Sequence, residues 1–247
     1  SWTKRVGHNP NFRFTAKLFQ DFTHGKKPIN KQDVKAYLKS LESLISANRL
    51  GCLLAQFPIS FRNTSENQER LEEIADYFGK YSLVVEFRHR GWITQPVLDW
   101  MEKHEVGFCN VDEPMFRKMI KPSAHVTGST SYVRFHGRNY GKWFAKDEGS
   151  KGTAARDARY DYLYGDEELD EWVPRIKEMG EKSTNVFVVG NNHFRGQAPA
   201  NILQLKSKVI EGPVDVPETM FEQFPQLKKI ARKTAKKKKQ PELFEDD

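Results

Sequence analysis

Cysteine is scarce in this sequence: Cys52 and Cys109 are the whole supply, each inside an apolar run. A thiol in that setting behaves as a small hydrophobe, so no disulfide framework, metal-binding knuckle or cysteine nucleophile is expected. Long apolar runs are missing too, and so is an N-terminal basic region followed by an apolar core and a cleavage site. Those shortages predict a soluble, cytoplasmic protein with no membrane association. Neither a glycine-rich phosphate loop, nor a dinucleotide fingerprint, nor a Ser-His-Asp constellation can be found, which excludes the commonest nucleotide and acyl-transfer chemistries.

Charge is plentiful but unevenly placed. The net charge is +7. Residues 226–239 hold eight basic side chains and residues 240–247 four acidic ones, so the tail carries +4 and the body before it only +3. The basic balance therefore describes the tail far more than the body.

Along the body, short apolar runs alternate with amphipathic stretches. Strands are predicted at 12–17, 51–58, 82–89, 107–112, 132–138 and 185–190, and helices at 31–48, from Ser65 onward, from Thr94 onward, from Asp166 to about 179, and at 198–210. Ser65 with Gln68 reads as a capping box, and Asp166 reads as an N-cap. The polar stretch up to Arg159 is long enough to be an active-site loop. Strand–helix alternation predicts a parallel sheet with right-handed crossovers. Polar residues close every strand, at Lys17, Gln56, Glu86 with Arg88 and His89, Asn110 with Asp112, Arg134 with His136, and Asn191 with Asn192. A polar rim on all strands suits a TIM-like (β/α) barrel, of the α/β class, better than a doubly wound sheet, although six strands are readable of an expected eight.

Period-two alternation sorts the faces. It puts Glu86 and Arg88, Asn110 and Asp112, and Arg134, His136 and Arg138 on the barrel axis, with Cys109, Val111, Val133 and Phe135 towards the helices. On that reading Lys17, Arg88, Arg134 and Arg138 outnumber Glu86 and Asp112, and the surplus charge would meet a phosphate-containing ligand or nucleic acid. Asn191 and Asn192 would add hydrogen bonds to the ligand, one of them being needed for the turn. If chemistry occurs, His136 is the expected general acid or base, pushed towards its protonated form by a carboxylate, with Glu86 or Asp112 orienting it. The alternative is that these charges neutralise one another and serve only stability. His24, His89, His136, His193, Glu86 and Asp112 are acceptable metal ligands by type, but the arginines and the lack of a tight spacing argue against a metal, and the sequence leaves any cofactor unknown. Among Tyr160, Tyr162 and Tyr164, stacking on a ligand and packing on the barrel are both open, whereas Trp92 is expected to pack.

Several motifs occur in one order: Pro10-Asn11-Phe12-Arg13-Phe14-Thr15-Ala16-Lys17, Thr23-His24, Gln56-Phe57-Pro58, Val85-Glu86-Phe87-Arg88-His89 with Trp92, residues 132–138, Tyr162-Leu163-Tyr164 and Asn191-Asn192-His193. In these the chain resembles the YecE-like family, the domain of unknown function 72. The resemblance covers residues 2–210 and implies a TIM-like barrel, an architecture shared with endonuclease-IV-like and xylose-isomerase-like enzymes. It implies, as an analogy of fold, a hydrolase or nuclease-like activity. Family members begin with a Gly-Ser-Gly-Trp strand and a second strand bearing Glu-Asn and Thr-Phe-Tyr; neither is present, so the N-terminal part of the barrel is expected to be lacking and the sheet edges open.

A barrel domain is thus expected over 1–212, with a linker and basic tail over 213–247. The tail ends in Gln240-Pro241-Glu242-Leu243-Phe244, which resembles the Gln-x-x-Leu-Phe peptide that docks on the bacterial sliding clamp, Gln240 making polar contacts and Leu243 with Phe244 filling an apolar pocket. Two function classes follow. One is a barrel enzyme that hydrolyses a phosphate-containing or nucleic-acid substrate at its rim. The other is a non-catalytic anion- or nucleic-acid-binding scaffold that docks on the clamp.

Overall fold

The computed structural model describes residues 2–25, 27–143 and 160–233. Six strands form one parallel sheet, β1 (Phe14–Lys17), β2 (Leu50–Gln56), β3 (Leu83–Glu86), β4 (Gly107–Asp112), β5 (Thr130–Phe135) and β6 (Asn185–Gly190), in the spatial order β1-β2-β3-β4-β5-β6. The sheet curls. Thr15 on β1 lies 3.1 Å, hydroxyl to hydroxyl, from Tyr132 on β5, although three strands separate them in the sheet. The architecture is therefore α/β, a partial TIM-like barrel whose apolar strand faces are covered by helices. Among the described residues β1 and β6 each have a single strand neighbour.

The helices are α1 (Trp2–Arg5), α2 (Gln20–His24), α3 (Lys31–Ser40), α4 (Glu42–Ser46), α5 (Ser65–Phe78), α6 (Gln95–Lys103), α7 (Asp166–Asp170), α8 (Val173–Lys182) and α9 (Gln197–Ile210). Two expected helices are broken in two. The 31–48 stretch bends at Leu41, the shared cap of α3 and α4, and the 166–179 stretch is interrupted before Val173, where Pro174 starts a new first turn. Helix α5 is capped one residue earlier than expected, by Thr64, whose hydroxyl accepts from the Asn67 amide at 3.4 Å. Gly165, not Asp166, holds the cap position of α7.

Two cores support the rim. Leu53, Val85 and Phe108 pack with Ile74 and Phe78 of α5 and Met101 of α6. Val133 and Phe135 pack with Tyr164, Trp172 and Met179. Trp92 is fully buried, stacked between Phe61 and Phe87 at 5.1 and 4.5 Å, and its indole N–H donates to the Phe61 carbonyl at 2.8 Å. That stack ties together the loops that follow β2 and β3. Residues 213–232, read from the sequence as a linker or a short helix, hold short 3-10 helices at Glu218–Met220 and Pro225–Lys229 and pack on the body: Phe224 and Leu227 bury against Ala200 of α9, and Val214 bridges to Ala231.

Candidate functional site

Register decides which side chains meet, because paired residues on adjacent strands share a face. Gln56 stands beside Glu86, and Val111 beside Arg134. The inner face of β4 is therefore Cys109 and Val111, and Asn110 and Asp112, paired with Val133 and Phe135, point outward. This reverses the face expected for β4. Asn110 is held by Ser123 and His125, its carbonyl oxygen accepting at 2.8 and 2.9 Å. Asp112 accepts from Tyr164 (2.8 Å), Trp172 (2.6 Å) and Arg138 (2.9 and 2.7 Å). Arg138 belongs with it: Gly137 adopts φ +90°, which breaks the alternation after His136 and turns Arg138 out to Asp112 and Glu171. Asp112 and Arg138 thus form a pair of their own, separate from the inner cluster.

The inner cluster is built on Glu86, which is fully buried. Its Oε2 accepts from Arg134 at 2.5 Å, and its Oε1 lies 2.5 Å from Arg88 and 3.4 Å from Nε2 of His136. Burial pushes its carboxyl up, but Arg88 and Arg134 hold it well below the usual range, so it is ionised. Arg134 also donates to Gln56 at 2.8 Å and to Asn191 Oδ1 at 3.2 Å. Arg88 makes a second ion pair, with Glu113. Lys17, exposed at the end of β1, shares the field of Arg134, Glu86 and Arg88; partial desolvation and Arg134 lower its pKa.

His136 is the centre of this face and is buried. Asn191 presents Nδ2 to its Nδ1 at 3.1 Å while Asn191 Oδ1 accepts from Arg134. Nε2 stands 2.9 Å from Nη2 of Arg88, a donor, and 3.4 Å from Oε1 of Glu86, an acceptor, so its two neighbours ask opposite roles of it. Burial, followed by Arg88, lowers the imidazole to about 3, so the ring is neutral, contrary to the protonated form expected beside a carboxylate. Both ring nitrogens are engaged.

Glu113 joins this centre although no motif in the sequence singles it out. Alternation from Val111 carries it to the inner face, once the phase of β4 is known. Its side chain is buried, Oε2 is taken by Arg88, and Oε1 has no hydrogen-bond partner among the described residues; the same is true of Arg88 Nε. Burial, with help from Glu86 and against Arg88, raises its carboxyl to about 7.

A cavity of about 650 Å³ lies apart from this centre, lined by Thr23 and His24 after β1, Ser60 and Phe61 after β2, and Glu66, Glu69, Arg70 and Glu73 of α5, with none of the cluster's side chains in its wall. Tyr160 lies 5.3 Å from His193, ring to ring, and 6.5 Å from His136. Tyr162 is tied to Glu168 and Tyr164 to Asp112, so of the three tyrosines Tyr160 alone stands at the cluster. Asn192 turns away from the rim and donates to Tyr162 and Asn201. Among the described residues no three His, Cys, Asp or Glu side chains gather as a metal site would require. His24 bonds Thr23, His89 accepts from the Gly91 amide, and His193 contacts the Asn191 carbonyl. Gln240, Leu243, Phe244 and the loop up to Arg159 lie outside the described residues.

The sequence family described as "Protein of unknown function DUF72" matches residues 1–224. The chain belongs to the DUF72 family. It is 29% identical over 215 residues to the UPF0759 protein YunF of Bacillus subtilis, covering 83% of this chain and 74% of that one. A DUF72 family protein of Thermotoga maritima has the same fold with a TM-score of 0.75 at 34% identity, over 85% of this chain and 78% of that one. A DUF72 family protein of Enterococcus faecalis superposes with a TM-score of 0.73 at 26% identity, over 87% and 83%. Among the described residues no helix is long and apolar enough to cross a membrane.

Proposed function

We propose that this DUF72 chain binds an oxyanion of the phosphate class at the C-terminal rim of its sheet, with Lys17, Arg88 and Arg134 as the clamp. The observation that carries this reading is the charge balance of the inner cluster. Once Asp112 and Arg138 are set aside as a pair, three cations face one firmly ionised carboxylate, Glu86, and one carboxyl near half-protonation, Glu113. Guanidinium forks suit phosphate and carboxylate oxygens. Hydrolysis of a phosphate ester is the reaction this electrostatic clamp would serve. A proton-transfer role for His136 would require the ring to leave Asn191 or Glu86.

Lys17 tests the reading cleanly, because it is the exposed member of the clamp and its loss strips no buried carboxylate of a partner. Inorganic phosphate is expected to raise the melting midpoint of the wild type, and Lys17→Gln to weaken phosphate binding by roughly tenfold, the worth of one charge-assisted hydrogen bond. Phosphate that leaves the wild-type midpoint unmoved, or serves both proteins equally, rules the clamp out.

A second reading rests on the tail sequence, where eight basic residues precede Gln240, Leu243 and Phe244. An apolar pair in a polar, charged setting suits docking on a sliding clamp, with the basic run holding nucleic acid non-specifically. Capture of a bacterial sliding clamp by the wild type should vanish when Leu243→Ala and Phe244→Ala are combined. Equal recovery of both would end this reading.

A further inference from the structure

We propose that Glu113 is the proton-carrying group of the rim: it meets a bound oxyanion as a neutral carboxylic acid, donating through Oε1, and takes up a proton from solvent as the anion binds. The inference rests on the anion-binding reading and adds to it the kind of ligand preferred, an oxyanion able to accept a hydrogen bond from a buried acid.

Three observations lead to it. First, Glu113 is almost wholly buried, yet only one of its oxygens is engaged. A bare buried carboxylate oxygen is costly, and protonation or a ligand removes the cost. Second, its one partner is shared: Arg88 also serves Glu86, and it keeps a buried Nε–H without a partner. An oxyanion drawn to Arg88 would therefore arrive beside Glu113 and compete with it for the same guanidinium. Third, His136 has no free nitrogen to offer, with Asn191 at Nδ1 and Arg88 at Nε2, and Glu86, whose Oε1 also lacks a hydrogen-bond partner among the described residues, is held ionised between Arg88 and Arg134, which leaves Glu113 as the carboxyl able to carry a proton. The charged groups facing Glu113 are Arg88 and Glu86 of the β3 end and Asp112 of β4; Tyr160 acts on it through Arg88, and Lys17 and Arg134 close the cluster. Asp112 is neutralised by Arg138, and Arg88 is shared between two carboxylates. A carboxyl so placed titrates near 7, and an added anion drives it to the acid form. The balance is simple: one proton moves from buffer to Glu113, no bond other than O–H forms, and none breaks.

Sulfate is the probe, since it does not titrate near neutrality. Titration calorimetry of the full chain in two buffers of different ionisation enthalpy should show uptake of about half a proton per sulfate at pH 7, and affinity falling by up to about tenfold per pH unit above that. Glu113→Gln, which keeps a donor but cannot ionise, should bind sulfate with no proton uptake and with an affinity independent of pH. Carbon-13 titration of glutamate carboxyls in the wild type supplies a reading that needs no variant and that histidines cannot mimic: one resonance should titrate near 7 and move upward in saturating sulfate. Sulfate binding without proton uptake, uptake that persists in Glu113→Gln, or no carboxyl titrating near 7 overturns the proposal while the anion site stands. No sulfate binding at any pH between about 5.5 and 8 overturns both.

Discussion

Two fully buried carboxylates, Glu86 and Asp112, sit a few residues from one another in the sheet and lead opposite lives. Asp112 has four hydrogen-bond donors from Tyr164, Trp172 and Arg138, enough to satisfy both oxygens without solvent or ligand. Glu86 depends on two arginines that are also committed to Gln56, Asn191 and Glu113, and it faces the rim. The first is a closed structural knot and the second an open electrostatic centre. Tyr164→Phe should therefore cost about 1–3 kcal/mol by stripping Asp112 of one donor and the Gly137 amide of its acceptor, read by denaturant unfolding. The same change should leave sulfate affinity as it was. A weakened sulfate affinity would instead tie Asp112 to the binding site. In the sequence the two carboxylates look alike, each near the end of a buried strand, because the groups that distinguish them lie far along the chain: Tyr164 and Trp172 follow Asp112 by 52 and 60 positions.

At the scale of elements, the number, order and type of strands were legible, since each apolar run is bounded by amphipathic stretches and only six such runs occur. The phase of a strand was not. On β4 both faces alternate plausibly, Cys109 and Val111 against Asn110 and Asp112, and pattern alone prefers the polar pair inside a polar mouth. Satisfaction decides otherwise. Outward-facing Asn110 and Asp112 find donors from the 123–125 segment and from the α7–α8 region that offset the cost of burying them, and the inward positions fall to smaller apolar groups until Glu113. Gly137 hides a similar reversal. A side chain at that position would place its Cβ 2.7 Å from that of Tyr162, and the left-handed backbone it permits re-aims Arg138. Helix lengths were overestimated for a related reason: the apolar stripe continues through Leu41 and through residue 172, whereas the hydrogen bonding does not.

For the whole molecule, two buried groups pull stability in opposite directions. His136 falls from 6.5 to about 3, so between those values the unfolded chain holds the extra proton and stability rises with pH. Glu113 rises from 4.5 to about 7, so there the folded chain holds the extra proton and stability falls as pH rises. Where the windows overlap, between 4.5 and 6.5, each contributes at most about 1.4 kcal/mol per pH unit, and the two offset. Below 4.5 Glu86, held well under its ordinary value, loses its ion pairs on protonation and adds to the effect of His136. The melting midpoint should stay nearly level from pH 6.5 to 4.5 and drop steeply below. In Glu113→Gln it should already fall across the level region. A wild-type midpoint that declines steadily from 6.5 would mean that Glu113 ionises as an ordinary carboxyl.

The order of the strands in space repeats their order in the chain. A sheet of this kind can be laid down in the direction of synthesis, for each new strand finds its partner already made and none must wait for a later segment. The polar rim has no such privilege. Glu86 is joined to Arg134, 48 positions later, and Arg134 to Asn191, 57 positions beyond that. Backbone pairing is thus free to proceed from the N-terminal side, while the charged centre stays incomplete until the last strand is in place.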